Sequence, residues 1–325
     1  MIVVTGAAGF IGSALVYGLN KKGINNIICV DKMGSDKRWE NLNSVVFQDF
    51  IDKDEFIKRI RERKSLPKIK TILHMGAISS TTETDVSLLM ENNFTYTKDL
   101  CIYCLEKNIR FIYASSAATY GKGEEGFSDN IELIDRLKPL NPYGFSKHIF
   151  DLWAKYNKAF NKITGLKYFN VFGPNEYHKE NMRSMVLKSF EQISQTGKVK
   201  LFKSELPQYK DGEQVRDFLY IKDAVEMTLF FIEKGYKKTG LFNIGSGIPR
   251  TWNDLVKAVF KATEKPVNIE YIPMPSEISK QYQYFTKADI SSLRKAGYDN
   301  KIYSLEEGIE DYVKNYLLKE PYARL

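Results

Sequence analysis

The run Ile2-Val3-Val4-Thr5-Gly6-Ala7-Ala8-Gly9-Phe10-Ile11-Gly12 constrains the fold of this chain more than any other stretch. An apolar run breaks into three glycines and passes into an amphipathic helical pattern, which specifies a strand, a tight turn and a helix. Gly6 permits the turn, Gly9 lets the backbone approach a phosphate, and Gly12 allows the helix to pack closely on the strand. The helix start at Phe10 and Ile11 then offers unpaired N–H groups and a positive dipole end to a pyrophosphate. A glycine-rich turn that holds no ligand would share the local pattern. The next feature favours a dinucleotide: Ile27-Ile28-Cys29-Val30 ends in Asp31, where an acid accepts from the adenosine ribose. Lys32 follows at once, with Lys37, Arg38 and Lys53 beyond. Cations there pair with a ribose 2′-phosphate, so the expected cofactor is NADP, with NAD as the alternative.

The strand–helix rhythm continues. Val45–Phe47, Thr71–His74, Arg110–Tyr113 and Leu166–Phe169 read as strands, and 11–22, 53–64, 86–106 and 143–160 read as helices. The expected fold is α/β, a doubly wound parallel (Rossmann) sheet. After about residue 172 the rhythm becomes irregular, and it returns briefly over 216–245. We therefore expect residues 1–172 with 215–245 to form the NADP-binding domain. Residues 173–214 with 246–325 should form a smaller, interleaved substrate domain. A chain of 325 residues is long enough for both.

Composition removes several functions. No apolar run is long enough to span a membrane, and no signal-peptide pattern opens the chain, so a cytoplasmic protein is expected. Three cysteines are too few for a disulfide framework, and Cys101-Ile-Tyr-Cys104 lies inside a helical pattern as core packing. The three histidines show no metal-ligand spacing. The net charge of +8 is spread along the chain without a basic–aromatic stripe, which argues against nucleic acid.

The chemistry is signalled elsewhere. Tyr143 and Lys147 lie four apart at the start of a helix, just after Pro142, and share one face. An ammonium there is expected to stabilise the phenolate and lower the tyrosine pKa. Ile112–Gly121 is a strand running into Ser115 and Ser116, placed to face the crevice at the strand's carboxyl end, where the hydroxyl donates to a substrate oxygen. Either serine would serve equally to cap a local turn.

Together, Thr5-Gly-x-x-Gly-x-x-Gly12, Ser115-Ser116-x-x-x-Tyr120-Gly121 and Tyr143-x-x-x-Lys147 resemble the extended short-chain dehydrogenase/reductase superfamily, which includes nucleotide-sugar epimerases and dehydratases. The resemblance implies that Ser116 and Tyr143 flank the reacting carbon and that Lys147 also holds the nicotinamide ribose. It further implies that Gly76-Ala77, Asn92 and Val171 line the cofactor. Dehydratases of this superfamily carry Thr-Asp-Glu where this chain has Ser116-Ala117-Ala118, and elimination needs such an acid. Longer stretches resemble the ADP-heptose 6-epimerase branch: Ser79–Asp85, Tyr168–Pro174 with His178-Lys179, Arg216–Asp223 and Tyr282–Asp289. Ala7 stands where a third glycine is usual, and Lys32 where asparagine is common. Glu180-Asn181 and Lys188 replace glycine-serine and histidine.

That likeness implies an ADP-heptose substrate, a lipopolysaccharide core precursor, inverted at a C6 with no acidic proton. Hydride leaves C6 for bound NADP, a 6-keto intermediate turns, and hydride returns to its other face. Two acid/base groups suit the two positions of the oxygen. The resemblance assigns them to Tyr143 and Lys179, whereas local sequence alone reads Lys179 as a surface lysine. Arg216 is the candidate for the ADP diphosphate, with a salt bridge to Asp217 as its alternative. Asn170, Tyr282, Asn181 and Lys188 complete the candidate substrate contacts, and a homo-oligomer is the usual state of the family. A UDP-hexose 4-epimerase and a non-catalytic NADP sensor are the competing readings; the first would make Lys179 dispensable.

Overall fold

The structure, a computed structural model, describes residues 1–233, 238–279 and 282–325. Residues 234–237 of the expected 215–245 stretch, and 280–281 of 246–325, lie outside the described residues.

Seven parallel strands form the central sheet, in the order β10-β6-β5-β4-β1-β2-β3. They are β1 (Ile2–Thr5), β2 (Ile27–Asp31), β3 (Asp49–Asp52), β4 (Thr71–His74), β5 (Arg110–Ser116), β6 (Thr164–Tyr168) and β10 (Gly240–Ile244). The near-continuous apolar character of β1 and β2 fits strands covered on both faces. The covering helices are α1 (Phe10–Lys21), α2 (Lys53–Arg61), α3 (Val86–Leu89), α4 (Tyr96–Lys107), α5 (Pro142–Tyr156) and α7 (Ile221–Phe230). A π-helical segment, Met90–Thr95, joins α3 to α4. Cys101 and Cys104 are buried as free thiols under α4.

Strand β3 differs from the sequence expectation. Val45–Phe47 carries the apolar signal, but the ladder starts at Asp49, paired with Ile28. The Asn20 side chain takes both backbone groups of Val46, and Val46 is exposed. Those groups are therefore unavailable to a ladder.

The remaining strands form two small sheets. β9 (Val215–Tyr220) lies between β7 (Asn170–Phe172) and β11 (Pro249–Thr251). β8 (Val199–Phe202) pairs with β12 (Ile269–Ile272). Helices α6 (Met185–Thr196) and α8 (Trp252–Ala262) pack on each other, and residues of both belong to the same core cluster as α1 and α7. Among the described residues no helix is long and apolar enough to cross a membrane.

Candidate active site

The glycine loop closes on itself. Gly6 has φ +64°, and a Cβ there would lie 2.7 Å from the backbone of Gly76, so the ends of β1 and β4 touch. A Cβ on Gly12 would lie 1.9 Å from the Gly6 carbonyl oxygen, which only glycine avoids. No side chain caps the start of α1, so its first N–H groups point out of the loop. Ala7, at the family's glycine position, is buried and donates to the Val30 carbonyl. This cradle, with Gly9, Phe10 and Ile11 at the start of α1, fits a dinucleotide pyrophosphate.

Asp31 ends β2 beside the loop. Its carboxylate accepts from the backbone N–H of Ala8 and of Lys32, each at 2.8 Å. Burial raises its pKa, and these donors pull it back. The cations expected to meet a 2′-phosphate are turned to acids instead. Lys32 meets Asp54 at 2.8 Å, while Arg38 is held by Asp36 and lies 3.7 Å from Asp31. Lys53 donates to Asn92 at 2.6 Å and lies 3.3 Å from Asp54. Lys53, Asp54, Asn92 and Tyr96 line a cavity of about 440 Å³. Past Gly76-Ala77, the backbone of Ile78 exchanges two bonds with the Asn93 side chain, which also donates to Ser146 on α5. Asn93, which no motif points to, ties the end of β4 to the helix of Tyr143.

That helix starts where the sequence dictates. Asn141 caps it by accepting from Gly144 N–H, and Pro142 occupies the first turn. Tyr143 and Lys147 then face β5. Ser116 Oγ accepts from Ala118 N–H at 3.1 Å as the cap of a local turn, and it lies close enough to Tyr143 to draw the phenol pKa down. Lys147 Nζ donates to the Ala114 carbonyl at 2.9 Å. Ser116 and Ala114 are two apart on the strand, and their partners are four apart on the helix, so the two periodicities match.

The electrostatics depart from the sequence expectation. Burial pushes the Tyr143 phenol above its ordinary value, and the Ser116 hydrogen bond opposes this. The Lys147 ammonium is directed to the strand carbonyl of Ala114. It is Lys147 that shifts down, to about 8, through burial, with Asp151 opposing. Ser115 points the other way and donates to Asp151 beneath the cleft.

Lys179 lies in a short 3₁₀ segment, Tyr177–Met182, after β7. Its Nζ sits 5.3 Å over the ring of Phe10, at the start of α1. Burial lowers its pKa, Glu176 raises it and Lys188 lowers it further. Local sequence reads this residue as a surface lysine, but the loop folds it inward beside the glycine cradle. His178 is held neutral by burial, at about 4.

A cavity of about 650 Å³ includes Asn170, Val171, Lys179, Lys188 and Tyr282 in its wall. Asn181 does not line it; the side chain is exposed, and its carbonyl accepts from Lys188 Nζ at 2.6 Å. Arg216 is buried between the rings of Trp252 and Tyr282, at 5.6 and 5.0 Å. Among the described residues no carboxylate pairs with it; its NH1 donates to its neighbour's carbonyl, Val215 O. The alternative pairing with Asp217 is absent, since that carboxylate accepts from Ser246, Gly247 and Ala288. Lys200, Phe202, Arg183 and Trp252 also line the cavity. Sequence reading missed these four, and no short motif marks them. Among the described residues there is no group of side chains able to hold a metal ion.

The chain is similar to several known proteins. A protein from Nitratidesulfovibrio vulgaris named ADP-L-glycero-D-manno-heptose-6-epimerase is 47% identical over 317 residues, covering 98% of each chain. One of the same name from Fusobacterium nucleatum subsp. nucleatum is 47% identical over 329 residues, covering 98% of this chain and 99% of its own. The crystal structure of the Helicobacter pylori ADP-L-glycero-D-manno-heptose-6-epimerase superposes with a TM-score of 0.81 at 28% identity, over 97% of this chain and 95% of that one. The model of the NAD dependent epimerase/dehydratase family matches residues 2–245, the stretch that holds both the glycine cradle and the Ser116–Tyr143–Lys147 cluster, and the chain belongs to that family.

Proposed function

We propose that this chain inverts C6 of ADP-D-glycero-D-manno-heptose to give ADP-L-glycero-D-manno-heptose, with NADP as its cofactor. The near half identity to relatives of that name supports the reaction. The observation that supports the mechanism is the inward fold of Lys179 over Phe10 at the start of α1. Inversion at an exocyclic carbon needs proton transfer at two positions of the oxygen, and this arrangement supplies two groups.

When bound, the nicotinamide accepts hydride from C6 and returns it to the opposite face. Ser116 Oγ donates to the substrate oxygen, and Tyr143 Oη takes or gives its proton. Lys147 binds the nicotinamide ribose. Once the ketone has turned, Lys179 Nζ performs the same proton transfer, and its lowered pKa eases exchange with a neutral hydroxyl. Arg216, a buried cation with no carboxylate partner among the described residues, fits the ADP diphosphate, with Tyr282 beside it. Residues 173–214 and 246–325 supply most of the substrate side in this reading, and Gly76, Ala77, Asn92 and Val171 belong to the cofactor side. Asn170 and Lys188 contact substrate from the cavity wall, and Asn181 serves through its backbone.

The test is to incubate the purified protein with ADP-D-glycero-D-manno-heptose in D₂O and follow C6 by NMR. Inversion without deuterium at C6 is expected, because the hydride never exchanges with solvent. Turnover of a UDP-hexose with no inversion of the heptose would sink the proposal. Tyr143→Phe and Lys179→Met should each lower kcat by at least ~10²-fold.

A further inference from the structure

We infer that the segment Tyr322–Leu325 is a positioning strap that holds the Lys179 loop against the glycine cradle. The inference rests on the reading of Lys179 as the second acid/base group.

The loop cannot hold Lys179 by its own backbone. It runs from Gly173 to Arg183 with a single 3₁₀ segment, and both Asn175 (φ 79°) and Glu180 (φ 45°) adopt left-handed conformations. Non-glycine residues persist there only where the surroundings over-determine them. A catalytic side chain on such a loop needs supporting contacts to stay within a fraction of an ångström of its working place.

Glu176 braces the loop from within by accepting from Gly173 and Ser184, and three further side chains hold it from outside, each completed by the strap. Asn175 is buried, and its amide donates to Ser13 Oγ on α1 at 2.9 Å. Its carbonyl oxygen accepts from Leu325 N–H at 3.1 Å. Asn41 is also buried, and its amide donates to Ala8 O in the glycine cradle and to Asn175 O in the loop, both at 3.0 Å. The Asn41 carbonyl oxygen accepts from Arg324 Nε at 3.0 Å. Tyr177, two residues before Lys179, donates its hydroxyl to Ala323 O at 2.6 Å. Its ring lies under the Arg324 guanidinium at 5.3 Å and against Tyr322 at 5.2 Å.

The far side of the strap is fixed as well. Arg324 pairs with Glu40, and Ser44 donates to Leu325 O. Glu40 and Asn41 belong to the 3₁₀ segment Lys37–Leu42, which also carries Arg38 beside Asp31. The strap thus joins the Lys179 loop to both ends of the cofactor cradle. Removing it leaves the side-chain carbonyl oxygens of Asn175 and Asn41 buried without the strap's donors and takes the Ala323 carbonyl from Tyr177, and the loop must move to satisfy them. A general plug for the core would touch apolar neighbours chiefly. This segment does bury Leu325 in the core cluster, with Tyr322 packed against it, but it also directs its backbone groups and its guanidinium to the loop and to residues 40–44.

The test uses the full chain carrying Arg324→Ala, Arg324→Lys or Tyr177→Phe. The readouts are kcat and KM for epimerisation, thermal melting, and the pH dependence of Lys179 acylation followed by mass spectrometry without substrate. The charged groups acting on this amine are Glu176 and Lys188, and every variant keeps both, Tyr177→Phe removing only a neutral hydroxyl next to Glu176. Arg324→Ala and Tyr177→Phe should lower kcat between about 10- and 100-fold with little change in KM, the scale of an ångström-sized misplacement. The Lys179 acylation midpoint should move up toward that of an ordinary lysine, and Arg324→Lys should restore part of both. A folded Arg324→Ala or Tyr177→Phe protein with wild-type kcat and acylation profile overturns the strap. So does a kcat loss that follows the melting temperature while the acylation profile stays put. If acylation shifts as expected while Lys179→Met turns over normally, the strap stands and the acid/base reading of Lys179 fails.

Discussion

Lys167 and Asp151 form an ion pair with no solvent contact, Nζ to Oδ2 at 2.7 Å, beneath the Ser116–Tyr143 cluster. The Asp151 carboxylate also accepts from Tyr113 at 2.7 Å and from Ser115 at 2.8 Å, and Lys167 donates to Thr119 at 2.5 Å. Asp151 is one turn beyond Lys147 on α5, and Ser115 adjoins Ser116 on β5. The pair therefore sets the helix that carries Tyr143 on the strand that carries its partner. Removing one member strands the other charge. Lys167→Met should cost about 3–5 kcal/mol in urea denaturation, whereas Lys167→Met with Asp151→Leu should recover much of that loss. Equal stability of the single and double variants would exclude the pair as the cause.

Arg216 should behave in the opposite way. A buried guanidinium that pairs with no carboxylate among the described residues destabilises the protein alone and is useful only when an anion arrives. Arg216→Met should therefore raise the melting temperature of the substrate-free protein while raising the Kd for ADP about 10- to 100-fold, the range for a charged hydrogen bond. Unchanged ADP affinity in calorimetry would remove Arg216 from the diphosphate site.

These two cations also show what the sequence could disclose. The glycine cradle, Ser116 and the Tyr143/Lys147 pair were legible because fixed spacing on one strand or helix sets which groups share a face. The order of charges between Tyr143 and Lys147 was not, because Ala114 O, which binds the ammonium, is thirty-three residues away. Asp151 and Lys167 carry no local signal, since their pairing exists only once β5, β6 and α5 have packed. Val45–Phe47 has the composition of a strand, yet Asn20 takes the backbone groups that a ladder would use. Lys179 is the extreme case: its local sequence is that of a surface loop, and its inward place depends on contacts from residues 41 and 322–325.

Cofactor choice follows from the same kind of pairing. Asp54 holds Lys32 and lies close to Lys53, both in partly exposed pairs, so a ribose 2′-phosphate competes with that carboxylate for the two ammonium groups. The Asp54 pKa lies below its ordinary value, chiefly through the Lys32 hydrogen bond, so it stays charged at neutral pH. Asp54→Asn should release both lysines and raise the ratio of NADP to NAD affinity, and Arg38→Ala should lower it. A ratio that neither substitution moves would place the discrimination elsewhere.

Lys147 makes the pH dependence specific. Its pKa falls from 10.5 to about 8 because burial opposes the charge, with Asp151 pulling back. Between those values the unfolded chain holds a proton that the folded, cofactor-free protein lacks, so this group makes stability rise with pH across that window. Below about 8 the buried ammonium is a constant cost, at most about 3 kcal/mol. Cofactor binding should show the reverse slope. If the ammonium is the form that donates to the ribose, binding above about pH 8 takes up a proton, and affinity falls as pH rises. Calorimetry in buffers of different ionisation enthalpy should detect that uptake, and Lys147→Met should abolish both slopes. Asp151→Asn removes the charge that supports the ammonium and should shift the midpoint to lower pH. Matching pH profiles for the wild type and Lys147→Met would assign the titration to another group.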